Sequence, residues 1–215
     1  MEVIGDYQQQ GYVHVRGLIP PEVARAFMGS IKQDIGTGPI PMSQETAFPS
    51  QLRRPTYGIY GFNYKPMLHF LWAFTPIISK IAGRDLLPTY DYFRIYRAGD
   101  VCRVHSDRFS CEHSVSLTLD YSDGQPWDLQ VGHRRLTATS AVRDDFDTEE
   151  YSSIPMQIGD AVVYQGVHHA HGRIHPNPNA WSAHLFLHFV DRNGPFADHA
   201  FDKKVALDPV NFSFV

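Results

Sequence analysis

The chain has 215 residues, 43% of them hydrophobic, so one domain (1–215) with a full core is the expectation. A net charge of −4 gives no basic field for a phosphate backbone, which excludes nucleic acid as a general partner. Cys102 and Cys111 are too few for a disulfide scaffold and read as reduced intracellular thiols; with no signal-peptide core and no apolar run of roughly 18 residues, the expectation is a soluble, cytoplasmic protein with no membrane partner.

Residues 1–88 read as an entry strand, helices and an aromatic loop. Tyr12, His14 and Arg16 alternate with Val13 and Val15, so Gly11 to Gly17 is expected as a strand. Pro20-Pro21 starts a helix through about Lys32 whose apolar stripe is Val23, Phe27 and Ile31. Gly36 to Tyr64 has no period and reads as a long loop, a length that favours a binding loop or lid. Its aromatics, Tyr57, Tyr60, Phe62 and Tyr64, either cover a substrate pocket or anchor the loop to the core. Lys65 to Gly83 is the clearest helix, with Leu68, Leu71, Trp72, Ile77, Ile78 and Ile81 on one face and Gly83 as its cap; Pro76 should kink or split it. His69 on that helix reads as a packed or surface residue rather than a ligand.

Residues 89–190 read as β-structure. In YFRIYRAGDVCRVHSD, Tyr92, Arg94 and Tyr96 share a polar face opposite Phe93 and Ile95; Arg97 to Asp100 turns, and a second strand ends in His105-Ser106-Asp107. On a strand His105 and Asp107 project to one side. Further strands are expected over Ser114–Tyr121, Trp127–Val131, Arg135–Ser140, Pro155–Ile158, Ala161–Gln165 and Trp181–Val190, which indicates a sandwich or jelly roll. Arg143 to Tyr151 reads as an acidic, solvated connection. In GDAVVYQGVHHAHGR, His168, His169 and His171 are all candidates to complete a site of two imidazoles and one carboxylate, a set that suits iron with positions left open. His169, His171 and Arg173 share a face if the segment stays extended, and a guanidinium is the best partner for the remote carboxylate of a chelating keto acid, which favours His171. The tail, 191–215, carries Phe196, Phe201, Phe212 and Phe214 and is expected to pack on the core.

The stretches FRIYRAGDVCRVHSD, SLTLDYSDGQPWDLQ, GDAVVYQGVHHAHGR and HLFLHFVD, with the N-terminal GYVHVRGLIPPEVARAF, resemble the non-haem Fe(II)- and 2-oxoglutarate-dependent oxygenases over most of the chain. The resemblance implies a mainly β fold, a double-stranded β-helix (jelly roll) core with flanking N-terminal α-helices. It implies that His105, Asp107 and His171 hold Fe(II), with 2-oxoglutarate and O2 as co-substrates and succinate and CO2 released as a small or medium-sized molecule is hydroxylated. Members that halogenate lack the carboxylate, so Asp107 points to hydroxylation or a related oxidation. Many members place the basic residue for the co-substrate where this chain has Trp181, a departure that leaves Arg173, or Arg94 with Tyr96, to meet the keto acid. Tyr57, Tyr60, Arg97, Arg103 and Trp181 are the candidates for substrate contact. A cupin-like metal enzyme without a keto acid, or a non-catalytic jelly-roll binding module, are the competing readings, and oligomeric state is not legible.

Overall fold

A computed structural model describes residues 1–37, 43–45, 51–53 and 55–202. In chain order the strands are β1 (Glu2–Ile4), β2 (Tyr12–Arg16), β3 (Ser43–Glu45), β4 (Thr56–Tyr60), β5 (Leu86–Arg97), β6 (Cys102–His105), β7 (His113–Tyr121), β8 (Leu129–Arg135), β9 (Tyr151–Ile154), β10 (Ala161–Tyr164), β11 (His169–Arg173) and β12 (Trp181–Asp191). The helices are α1 (Tyr7–Gln10), α2 (Pro21–Thr37) and α3 (Pro66–Ala82). Among the described residues the strands form two sheets, one ordered β1-β2-β10-β7-β12-β5-β4-β3 and one ordered β6-β11-β8-β9.

Alternation along the central strands sets the layers. On β7, Val115, Leu117 and Leu119 join the core with Ala24, Met28 and Ile31 of α2 and Met67, Leu71 and Ile78 of α3. Ser114, Ser116 and Thr118, between them, face the second sheet; on that side they meet Arg173 of β11 and His188 and His184 of the neighbouring β12. The same division runs along β12, with Leu185 and Leu187 toward the helices and His184, Phe186 and His188 inward, and along β5, with Phe93 outward and Tyr92, Arg94 and Tyr96 inward. Each buried Val or Leu contributes about 1.5–3 kcal/mol, so the helix-covered face holds the fold while the inner face carries polar groups. The small sheet closes over that inner face through Leu129, Val131 and Ile154, which pack on Tyr12, Val162 and Tyr164.

Several expectations are corrected. The buried stripe of α2 is Ala24, Met28 and Ile31, and Val23 is exposed; on α3, Met67, Leu71, Phe74, Ile78 and Ala82 point inward, while Trp72, one residue and therefore 100° round from Leu71, is 59% exposed. Pro76 does not split α3, which runs unbroken to the left-handed cap at Gly83; Thr75 Oγ1 donates to the Leu71 carbonyl at 2.9 Å beside it. Within the expected loop, Thr56–Tyr60 is a strand paired with β5 on one side and β3 on the other, its alternation disguised by Gly58. Part of that loop lies outside the described residues. The expected strand over Arg135–Ser140 is absent because β8 ends at Arg135, and the strand expected over Pro155–Ile158 is displaced to Tyr151–Ile154, since Pro155 has no N–H for a ladder. The acidic connection is not merely solvated: Glu149 is largely buried and receives Arg143 at 2.6 Å. In the tail Phe196 stacks on Phe109 at 4.8 Å, whereas Phe201 is exposed; Phe212 and Phe214 lie outside the described residues.

Candidate metal centre

β6 and β11 pair antiparallel with His105 opposite His171. Gly172 permits the approach: a Cβ there would stand 2.8 Å from the Cys102 carbonyl oxygen and 3.1 Å from Val104 N. A bulge follows, since Arg173 pairs with Cys102, so β6 uses one residue more than β11; Cys102 and His105 both reach the inner side and Arg103 is turned out. Asp107 lies past the end of β6, where its N–H donates to the Gly166 carbonyl at 2.8 Å. That bond directs its carboxylate toward the two imidazoles.

His105 Nε2 and His171 Nε2 lie 3.6 and 3.5 Å from Asp107 Oδ1. The three ligating atoms all fall within 4.8 Å of one another. Each imidazole is oriented by a main-chain carbonyl, His105 Nδ1 at 2.7 Å from Arg103 O and His171 Nδ1 at 2.9 Å from His169 O. A carbonyl only accepts, so Nδ1 donates and Nε2 is the nitrogen turned toward Asp107. Ser114 Oγ donates to Asp107 Oδ2 at 3.1 Å, leaving Oδ1 for the shared point. Burial, with His171 beside it, lowers His105 to about 4, so this ring stays neutral. Burial alone would raise the Asp107 carboxyl, but His171 and His105 outweigh it and hold the group well below the usual carboxylate range. His171 is shifted up, its burial outweighed by the Asp107 charge. A charged carboxylate facing two imidazole nitrogens is a donor set that fits a divalent cation of borderline softness.

A cavity of about 500 Å³ opens beside this group, with Arg94, Arg173, Tyr60, Tyr92 and Phe186 in its lining. Arg173 is 1% exposed; it donates to the Trp127 carbonyl and to Ser116 Oγ at 3.3 Å, lies 3.4 Å from His184 Nδ1, and stands 4.9 Å over the Trp127 ring. No carboxylate pairs with it among the described residues. Arg94 donates to the Tyr96 hydroxyl at 3.1 Å and lies over the Tyr92 ring.

The candidates drawn from the sequence divide. His105, Asp107, His171, Arg173, Arg94, Tyr96 and Tyr60 line the cavity. His168 and His169 do not: His168 turns to the Leu136 carbonyl, and a register shift on β8 sends the His169 ring to Gly11 and Tyr12, with Nδ1 2.9 Å from Gly132 O. Tyr57 stands beside Arg97, whose guanidinium donates to Pro55 O, and Arg103 pairs with Asp144 at 2.8 Å. Trp181 is on the helix-covered face under Lys32 at 4.7 Å, its parity being opposite to that of His184. Tyr64 anchors to α2 through Asp34. Sequence reasoning missed Ser114, Tyr90, Tyr164 and His188; the alternation in HLFLHF, which sets His184 and His188 against Leu185 and Leu187, was the available signal for the last.

No protein-family model matches the chain, and no curated protein matches it by sequence. Solved structures do match it. The epimerase SnoN from nogalamycin biosynthesis, in complex with Fe3+, alpha-ketoglutarate and nogalamycin RO, aligns with a TM-score of 0.66 at 12% identity over 95% of this chain and 90% of its own. A Pseudomonas putida prolyl-4-hydroxylase aligns with a TM-score of 0.59 at 15% identity over 87% and 96%, and HygX from Streptomyces hygroscopicus, with nickel and 2-oxoglutarate bound, with 0.57 at 8% over 87% and 85%. The fold is that of the Fe(II)- and 2-oxoglutarate-dependent oxygenases. The oxygenase-fold jelly roll is therefore the architecture that brings β6 and β11 face to face with the polar side of β7 and β12.

Proposed function

We propose that the chain is an Fe(II)- and 2-oxoglutarate-dependent oxygenase that oxidises an unactivated C–H bond of a small or medium-sized molecule. The observation that carries this reading is the convergence of His105 Nε2, His171 Nε2 and Asp107 Oδ1 beside a buried guanidinium, that of Arg173, which no carboxylate meets among the described residues. Iron with 2-oxoglutarate and O2, when bound, supplies the oxidising power, with succinate and CO2 as the by-products.

The residues of the chain supply position. His105 and His171 are held by main-chain carbonyls and Asp107 by Ser114, so the donor set is fixed before anything binds. Arg173 is read as the partner of the remote 2-oxoglutarate carboxylate, because a buried charge without a counter-ion is costly and an anion in the cavity relieves it. Arg94 with Tyr96 is the alternative contact. Tyr60, Tyr92 and Phe186 offer the substrate a dry aromatic wall. The solved structures of this fold include an epimerase, a carbocyclase and a prolyl hydroxylase, and Asp107 supports hydroxylation or a related oxidation rather than halogenation. Two buried free cysteines support a reducing, cytoplasmic setting. The test is succinate release from anaerobically prepared Fe(II) protein given air and 2-oxoglutarate. Release is expected from the wild type and only background from His105→Ala or Asp107→Ala; undiminished release from either variant sinks the ligand assignment.

A further inference from the structure

β12 brings to the cavity a histidine that the candidate metal group leaves out. His188 is 3% exposed, with Nδ1 2.9 Å from Ser114 Oγ. The same hydroxyl lies 3.1 Å from Asp107 Oδ2 and 3.3 Å from Cys111 O. A hydroxyl has one proton, and a carboxylate and a carbonyl only accept, so Ser114 commits its proton to them and can only accept from the imidazole. Nδ1 therefore carries the His188 hydrogen and Nε2 is a bare lone pair. That nitrogen is buried, has no partner among the described residues, and belongs to a ring that lines the cavity. Tyr90 and Tyr92, with ring centroids 4.5 and 5.9 Å away, hold the ring in place.

The chemistry of what enters the cavity narrows the partner of Nε2. 2-Oxoglutarate is a dianion with acceptors only, and O2 has no proton to donate. The donors left are water and the molecule that is oxidised, which displaces water when it fills the cavity. We propose that His188 Nε2 accepts a hydrogen bond from a substrate hydroxyl, and that the substrate class is a hydroxylated ring compound lying against Tyr90 and Tyr92 beside the metal group. The ring follows from the wall, where Tyr92 stacks on Phe186 at 4.7 Å and offers an extended π-surface. This inference rests on the oxygenase reading of the same site. Asp107, Cys111 and His188 also approach closely enough to be considered as a cation site. Burial and the Asp107 charge raise the Cys111 thiol, and they outweigh the lowering contact with the Tyr90 hydroxyl 3.1 Å from its sulfur, so the thiolate a metal needs is disfavoured.

The experiment uses the full chain loaded anaerobically with Ni(II) and 2-oxoglutarate, titrated calorimetrically with phenol and with fluorobenzene, near-isosteres of which only phenol donates. The wild type is expected to bind phenol about tenfold more tightly, about 1.4 kcal/mol. His188→Phe should lose that preference while keeping Ni(II) and 2-oxoglutarate affinity, and His188→Gln, which keeps a carbonyl acceptor, should recover part of it. Equal binding of the two probes by the wild type, binding of neither, or an undiminished preference in His188→Phe overturns the proposal. Loss of Ni(II) affinity in His188→Phe also overturns it, by assigning the ring to the metal. Failure of the wild type to take up 2-oxoglutarate in the loading step is a separate result that removes the oxygenase reading, and the phenol preference is then read on the Ni(II) protein alone.

Discussion

Asp91 and Arg173 are both buried to 1% exposure, and they differ in what each can do about it. Both carboxylate oxygens of Asp91 are without a hydrogen bond among the described residues; they sit against Gly61, where no Cβ intervenes. Burial raises this carboxyl from 3.8 to about 7, so below that pH it is the neutral acid in the folded state. The folded value lies above the unfolded one, so its contribution is fully present below about pH 4 and is lost as pH rises through 7, on the order of 4 kcal/mol in all. His105, His113 and His188, each lowered to about 4 chiefly by burial, run the other way: they favour the folded state above their unfolded value and lose that stability as pH falls toward 4. The clean readout is therefore a difference. Asp91→Asn should gain on the wild type in denaturant melts between pH 5 and pH 8, and a difference that stays flat with pH would show that the carboxyl does not titrate there. Arg173 is a buried cation that no carboxylate meets among the described residues, so it calls for an anion. Arg173→Ala should weaken 2-oxoglutarate binding about a hundredfold, and Arg173→Lys should restore little of it, since an ammonium cannot form the fork. If Arg94→Ala gives the large loss in the same titration and Arg173→Ala does not, the carboxylate belongs to Arg94.

At the scale of elements, the site depends on how closely β11 lies to β6. The Cβ of Gly172→Ala would press on main-chain atoms, Cys102 O at 2.8 Å and Val104 N at 3.1 Å, which cannot swing aside. Strain of this kind costs on the order of 1–3 kcal/mol and spreads His105 from His171. The expected outcome is a tenfold or greater loss of Ni(II) affinity with an unchanged far-ultraviolet circular dichroism spectrum; wild-type affinity would mean that the approach does not position the ligands. Much of this geometry was legible, because β7 and β12 alternate strictly and because His105, His171 and Arg173 keep the faces their spacing assigns. What escaped was set by partners rather than by pattern. Gly58 hides the alternation of β4, which is held as a strand by its pairing with β5 and β3. The register shift on β8 removes His169 from the face it shares by parity with His171, and no local residue announces that shift. Trp181, a candidate for substrate contact, stands on the helix side because its parity on β12 is opposite to that of His184.

For the whole molecule, the division between a helix-covered core and a polar inner face implies that folding and metal binding are separable. Val115, Leu117, Leu185 and Leu187 are fully buried against α2 and α3 and make no use of the site. The metal-free chain should therefore be folded, with a cation adding only its binding free energy. A ligand at a hundred times its dissociation constant that binds the folded state alone contributes about 2.7 kcal/mol. For a chain of this size each kcal/mol moves the melting temperature by about 2–4 °C, so saturating Mn(II) should raise it by roughly 5–10 °C, reversed by a chelator. Asp107→Ala leaves two neutral imidazoles and removes the carboxylate they face, so this variant should melt without any metal-dependent shift. Thermal melts with Mn(II) and with chelator, on wild type and variant, decide it: an equal shift in both would place the cation elsewhere, and an unfolded metal-free wild type would show that the inner face, too, holds the fold together.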